Sequence, residues 1–134
     1  MVTALDACLA GLTRAREVGA RVSCAVVDAG GNLVTFLRDD GAEIAGPILA
    51  VDKAYTAVAN RIATHELATL AAPGGPLYGL QATGGGRFVI FGGGLPVWAG
   101  DRVVAGVGVS GGSVEQDRAS AAAMVDALQP WADS

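Results

Sequence analysis

The sequence predicts a single-domain α+β fold: a five-stranded antiparallel sheet with helices packed on it. Three observations lead there. The chain has 134 residues, 51% of them hydrophobic and 16% charged, which suits one well-buried domain and excludes intrinsic disorder. The periodicities run in the order helix, two strands, two helices, three strands, helix. Short turns join neighbouring strands, which favours hairpins over parallel crossovers. There is no internal repeat and no linker, so residues 1–134 are read as one domain.

Residues 3–18 predict an amphipathic helix. Thr3 is its candidate cap, with Asp6 close to a capping-box position, and Leu5, Cys8, Leu9, Leu12 and Ala15 share one face. Gly19 ends it. Residues 22–27 and 33–37 form a hairpin around Ala29-Gly30-Gly31-Asn32. A second helix covers 44–62, with Pro47 in its first turn, where proline is tolerated. Thr64 is the expected cap of a short helix ending at Leu70. Residues 72–79, with two prolines and three glycines, form a fixed loop. Short strands follow at 88–91, 95–98 and 102–109, the last two joined at Gly100-Asp101. The closing helix spans 113–128, capped by Ser113 and Gln116.

Charge limits the partners. The net charge is −4 and no basic block exists, so nucleic acid and acidic membrane surfaces are poor partners. No apolar run approaches the roughly 18 residues of a membrane span. With no signal-peptide pattern at its start, the chain is expected to be cytoplasmic. Cys8 and Cys24 lack metal-type spacing and fall on apolar stripes, so they read as reduced core residues.

Several residues carry candidate chemistry. Gly106-Val107-Gly108-Val109-Ser110-Gly111 matches G-x-G-x-x-G, but no strand follows its helix, so a dinucleotide site is excluded. What survives is a helix start at Gly112-Ser113 able to meet an anion, or glycines that let strand and helix pack closely. His65 is the only histidine. Thr69 stands where H-E-x-x-H needs a second one, which argues against zinc and any other metal centre of that kind. A single axial haem ligand is compatible with one imidazole; a surface histidine is the commoner outcome. Lys53 is the only lysine and shares a helical stripe with Leu49, Thr56 and Asn60. Spacing alone favours a solvated lysine, while a buried one would serve as a base, a Schiff-base former or a carboxylate anchor. Asp28 either bonds its own turn or presents a carboxylate at the sheet edge. Tyr78 stands apart from the other aromatics because it sits in the glycine–proline loop.

Five segments occur in order: Val-Val-Asp-Ala-Gly-Gly at 26–31, Asp-Lys-Ala-Tyr-Thr-Ala at 52–57, Pro-Gly-Gly-Pro-Leu-Tyr-Gly at 73–79, Phe-Gly-Gly-Gly-Leu-Pro at 91–96, and Gly-Val-Gly-Val-Ser-Gly-Gly-Ser-Val-Glu-Gln-Asp at 106–117. Together they resemble the GlcG/HbpS (haem-degrading domain) family, which includes the C-terminal domains of PduO-type proteins, over about residues 4–128. The resemblance implies a profilin-like five-stranded sheet, homo-oligomers from dimers to hexamers or octamers, and haem as the cofactor of some members. Motif positions implied to line a pocket are Asp28, Lys53, Tyr55, Tyr78, Gly93, Gly94, Gln116 and Asp117.

Three functions follow as expectations. The first is a small-molecule pocket protein for haem or a similar planar carboxylated ligand. Here His65 is the iron ligand, Lys53 or the Gly112-Ser113 helix start meets a carboxylate, and Tyr78 packs on the ring. The second is a cofactor-free acid/base enzyme on a small carbonyl or carboxylate, with Lys53 as base or electrophile, Asp28 or Asp117 its partner and Tyr78 the proton donor. The third is an oligomeric scaffold for a pathway partner.

Overall fold

The computed structural model describes residues 2–134. Helix α1 (Val2–Glu17) leads into strands β1 (Ser23–Asp28) and β2 (Leu33–Arg38). Helices α2 (Gly46–Asn60) and α3 (Thr64–Leu70) follow, then strands β3 (Gly94–Ala99) and β4 (Arg102–Ser110), and finally helix α4 (Val114–Ala132). The sheet is antiparallel throughout, in the order β2-β1-β4-β3.

The sheet therefore has four strands, not the five expected. Residues 88–91 pair with no strand. The Val89 N–H instead donates to the hydroxyl of Thr56 on α2, at 3.0 Å. Glycines at 84–86 and 92–94 flank this segment, and Gly84, Gly85, Gly86 and Gly93 all have positive φ, so the extended run is cut short at both ends. β-branched and aromatic content alone does not make a strand where the backbone bonds elsewhere.

Alternation along the central strands sets the layers. Cys24, Val26, Val107 and Val109 face α1 and α4, forming one core with Ala7, Cys8, Ala121 and Met124. Val27 faces the other way, onto Ala54 and Val58 of α2. Gly106 and Gly108 also face α2, where a side chain on either would collide with the helix backbone. Close packing of helix on strand, one of the two readings of that glycine run, is present here against α2.

Two local expectations change. The buried face of α1 is Ala4, Ala7, Cys8, Gly11 and Ala15, whereas Leu5 and Leu9 are exposed. Small residues win because α4 lies close: a Cβ on Gly11 would sit 2.8 Å from Met124 Cγ and from Cys24 Sγ. Helix α1 includes Thr3 rather than starting after it. Its other end matches a Schellman motif: Ala20 N–H donates to Ala15 O (2.8 Å) and Gly19 N–H to Arg16 O (3.1 Å), with Gly19 at φ +86°. Thr64, expected as a cap, is the first residue of α3 and caps nothing. Its buried hydroxyl accepts the Gly94 N–H at 2.9 Å and so fastens α3 to the start of β3.

Among the described residues, no helix is long and apolar enough to cross a membrane, and no group of His, Cys, Asp and Glu is arranged to hold a metal ion. Cys8 and Cys24 are both buried and unbridged; burial raises the Cys8 thiol to about 12.

Candidate functional site

Helix α2 turns Lys53 inward, and the side chain is fully buried rather than solvated. Its ammonium donates to Val109 O at 2.9 Å and to Asp117 Oδ2 at 3.2 Å, and lies 4.9 Å from the centre of the Phe91 ring. Gly93 and Gly94 form the wall beside it. A Cβ on Gly93 would stand 2.9 Å from Lys53 Nζ, and one on Gly94 would run into the Lys53 backbone. The Gly93 carbonyl in turn accepts the Val109 N–H at 2.9 Å. The fold thus gathers Lys53, Asp117, Gly93 and Gly94 from three separate segments.

Burial drives both charged partners toward neutrality. It lowers the Lys53 pKa and raises that of Asp117, while their mutual attraction pulls each back. With two acceptors on Lys53, and the second Asp117 oxygen accepting the Gly112 N–H at 2.9 Å, this is a hydrogen-bonded buried ion pair.

The start of α4 closes on itself. Gln116 Oε1 accepts the Ser113 N–H at 2.9 Å, and Ser113 Oγ accepts the Gln116 N–H at 3.1 Å, completing a capping box. Gln116 also donates to Val18 O at 2.8 Å, tying α4 to the end of α1. The N–H groups of Gly112 and Ser113 therefore already have acceptors within the chain.

The remaining sequence-selected residues lie elsewhere. Asp28 Oδ1 accepts the N–H groups of Gly30 and Asn32, both at 2.9 Å, and these turn bonds hold its carboxyl below the ordinary carboxylate range. Asp28 pairs with Ala105 on β4, four residues along the strand from the Val109 carbonyl that Lys53 uses, or about 13 Å. Tyr55 stacks on Phe88 with ring centres 6.3 Å apart and carries the Arg87 guanidinium at 3.6 Å. Arg87 is also bound to Asp52 at 2.8 Å. Tyr78 is exposed, and its hydroxyl makes no hydrogen bond within the described residues.

Neither Lys53 nor Asp117 lines any of three surface cavities. One of about 420 Å³ is largely apolar and runs from Val26 and Val104 to Leu128 and Trp131, with Asp28 at its edge. A second, of about 430 Å³, lies between His65, Leu95 and the α4 residues Glu115, Arg118, Ala119 and Ala122. His65 Nδ1 is enclosed and has no hydrogen-bond partner among the described residues. Nε2 also makes no hydrogen bond among the described residues, and the His65 side chain lines the cavity. Burial, with help from Arg118, holds the His65 pKa below its usual 6.5, so the ring is neutral at pH 7 and able to ligate. Sequence reasoning missed Arg118, which stands 53 positions from His65 and joins it only through packing of α3 and β3 against α4. A third cavity, of about 250 Å³, sits by the β3–β4 turn.

The sequence matches the family described as "Haem degrading protein HbpS-like" over residues 1–126. It is 47% identical over 113 residues to an uncharacterised 15.0 kDa protein of Citrobacter freundii, covering 84% of this chain and 80% of that one. It is 44% identical over 108 residues to the corrinoid adenosyltransferase PduO of the same organism, covering 81% of this chain but only 32% of that protein. Among solved structures, a PduOC:heme complex superposes with TM-score 0.87 at 39% identity, covering 92% of this chain and 91% of the other. A double mutant of HbpS of Streptomyces reticuli superposes with TM-score 0.84 at 36% identity, over 94% of this chain and 84% of that one. Family match, relatives and fold agree, and the chain belongs to the HbpS-like (GlcG/HbpS) family.

Proposed function

We propose that this protein binds haem, or a similarly planar carboxylated ligand, with His65 Nε2 as the ligating atom. The observation that carries the reading is a neutral histidine, both nitrogens free of hydrogen bonds among the described residues, at the wall of a cavity of about 430 Å³. Leu95, Ala119 and Ala122 supply apolar surface for a ring, and Arg118 supplies a guanidinium for a propionate-type carboxylate. Membership of a haem-degrading family, and likeness to a structure of PduOC with haem, support the same class of ligand. Bound haem would supply iron and its oxygen chemistry; the chain's part is to hold, orient and partly desolvate it.

The cavity is open on one side, which fits a protein that works as a homo-oligomer. Ile44 and Ile48 are 90% and 71% exposed, an amount of bare aliphatic surface that a second copy would cover. The acid/base alternative through Lys53 finds less support, because that ammonium has no exposed surface and lines none of the three cavities described above.

Titrating the purified protein with haemin while recording visible absorption tests the proposal. A saturable, shifted Soret band is expected, lost in His65→Ala and weakened about tenfold in Arg118→Gln. Non-saturable partitioning, or an unchanged spectrum in His65→Ala, would overturn it.

A further inference from the structure

We propose that Arg61 and Arg102 form a second ligand site, for the oxyanion of a small carboxylate or phosphate, in the cavity of about 250 Å³ beside the β3–β4 turn. The cavity is lined by Ala29, Val58, Arg61, Asp101, Arg102 and Val103. It lies at the opposite end of β3 from Leu95 and the His65 cavity, and does not depend on the haem reading.

The first support is where the arginines of this acidic chain have spent their bonds. Arg14, Arg16, Arg21 and Arg87 are each bound to a carboxylate, and Arg38 donates to the Ala42 carbonyl at 2.7 Å. Among the described residues, Arg61, Arg102 and Arg118 alone have neither kind of partner. Free guanidiniums on a surface are usually just hydrated. Here all three line cavities, and two share one. Asp101 stands in the same cavity and forms no ion pair with either arginine. Two guanidiniums against one carboxylate leave one positive charge for a ligand to neutralise.

The second support is backbone strain at Arg61. Among the described residues it is the only non-glycine with positive φ, at +55° with ψ +44°, where it ends α2. That is the position glycine or asparagine ordinarily fills, and an L side chain with a Cβ costs about 1 kcal/mol there. Glycine would suit the backbone better, so the fold carries a guanidinium at a place where any bulky side chain is disfavoured. Strain kept at a cavity wall is a mark of binding function. The cavity holds a few heavy atoms, enough for an oxyanion and a short body lying on Val58 and Val103.

The test is an amide NMR titration of the whole chain with inorganic phosphate and, separately, malonate, at constant ionic strength made up with chloride. Saturable shifts of the Ala29, Arg61 and Arg102 signals are expected with at least one probe, and the responding probe tells phosphate from carboxylate. Affinity should fall about tenfold or more in Arg102→Gln and in Arg61→Gly, and remain unchanged in Arg118→Gln. Arg61→Gly should at the same time melt no lower than wild type, which separates lost binding from lost folding. The site is refuted if neither probe gives saturable shifts at these amides. It is equally refuted if the shifts survive in both Arg61→Gly and Arg102→Gln.

Discussion

Around Lys53 the polar groups of α2, β4 and α4 satisfy one another: ammonium to carboxylate and carbonyl, carboxylate to Gly112, Gln116 to Ser113 and Val18. Around His65 and Arg118, and again around Arg61 and Arg102, strong donors and a ring nitrogen line cavities without partners among the described residues. Both regions hold the residue types that binding and catalysis use. The difference lies in unspent bonding capacity. A buried, fully paired ion is held at great cost to any rearrangement, whereas an unpaired group at a cavity wall can exchange water for a ligand at little cost. The Lys53 hub therefore reads as the clamp that fixes the geometry, and the cavities as the places where it is used.

Removing one half of the clamp is the sharpest way to break this comparison. Lys53→Met leaves Asp117 buried and uncompensated, so a loss of about 3–5 kcal/mol is expected, read from the denaturation midpoint at constant slope. The double variant Lys53→Met, Asp117→Asn should recover much of it, since asparagine is neutral and still accepts the Gly112 N–H. In the single variant the deficit should shrink in acid. A buried Asp whose folded pKa is raised binds its proton more tightly than the unfolded chain does, so stability falls as pH rises from the unfolded value of about 3.8 toward the folded pKa. If Lys53→Met keeps wild-type stability, Lys53 is not a clamp and the acid/base reading returns.

The clamp and the cavities were unequally legible in sequence. Elements with local signals came through: the Gly19 stop, the hairpin about Gly30-Gly31, Pro47 at the start of α2, and the Ser113–Gln116 box all depend on residues within a few positions of each other. The fifth strand did not, because pairing is decided by a distant neighbour, and the Val89 N–H bonds the Thr56 hydroxyl instead. The helical spacing of Leu5 and Leu9 puts them on the buried face, yet the tight approach of α4 at Gly11 admits only small residues. Lys53 and Asp117 were each singled out, but a pairing 64 positions apart that buries both has no periodic signature. Arg61 and Arg102 carried no motif at all, and the left-handed backbone at Arg61 is invisible where sequence shows no glycine.

A smaller effect sharpens the closed side. Thr64→Val keeps the shape of a fully buried side chain but deletes the acceptor for the Gly94 N–H. A loss of about 1–3 kcal/mol is expected in chemical denaturation. Gly94 adjoins the Lys53 wall, so Thr64→Val and Lys53→Met should combine non-additively if both act on one clamp.

The open side predicts the opposite sign, and a smaller size. His65→Leu removes an enclosed Nδ1 with no partner and puts apolar surface against Leu95 and Ala119. Stability should be unchanged or rise by up to about 1 kcal/mol, even as haem binding is lost. The pH profile gives an independent check. The folded His65 pKa lies below 6.5, chiefly through burial, so between that pKa and 6.5 the unfolded chain holds more protons than the folded one. Wild-type stability should therefore climb with pH across that window and reach its full value above 6.5. His65→Leu should lose that part of the climb. A destabilised His65→Leu with an unchanged profile would mean that His65 is bonded like Lys53, and the division between clamp and cavity would fall at its most exposed point.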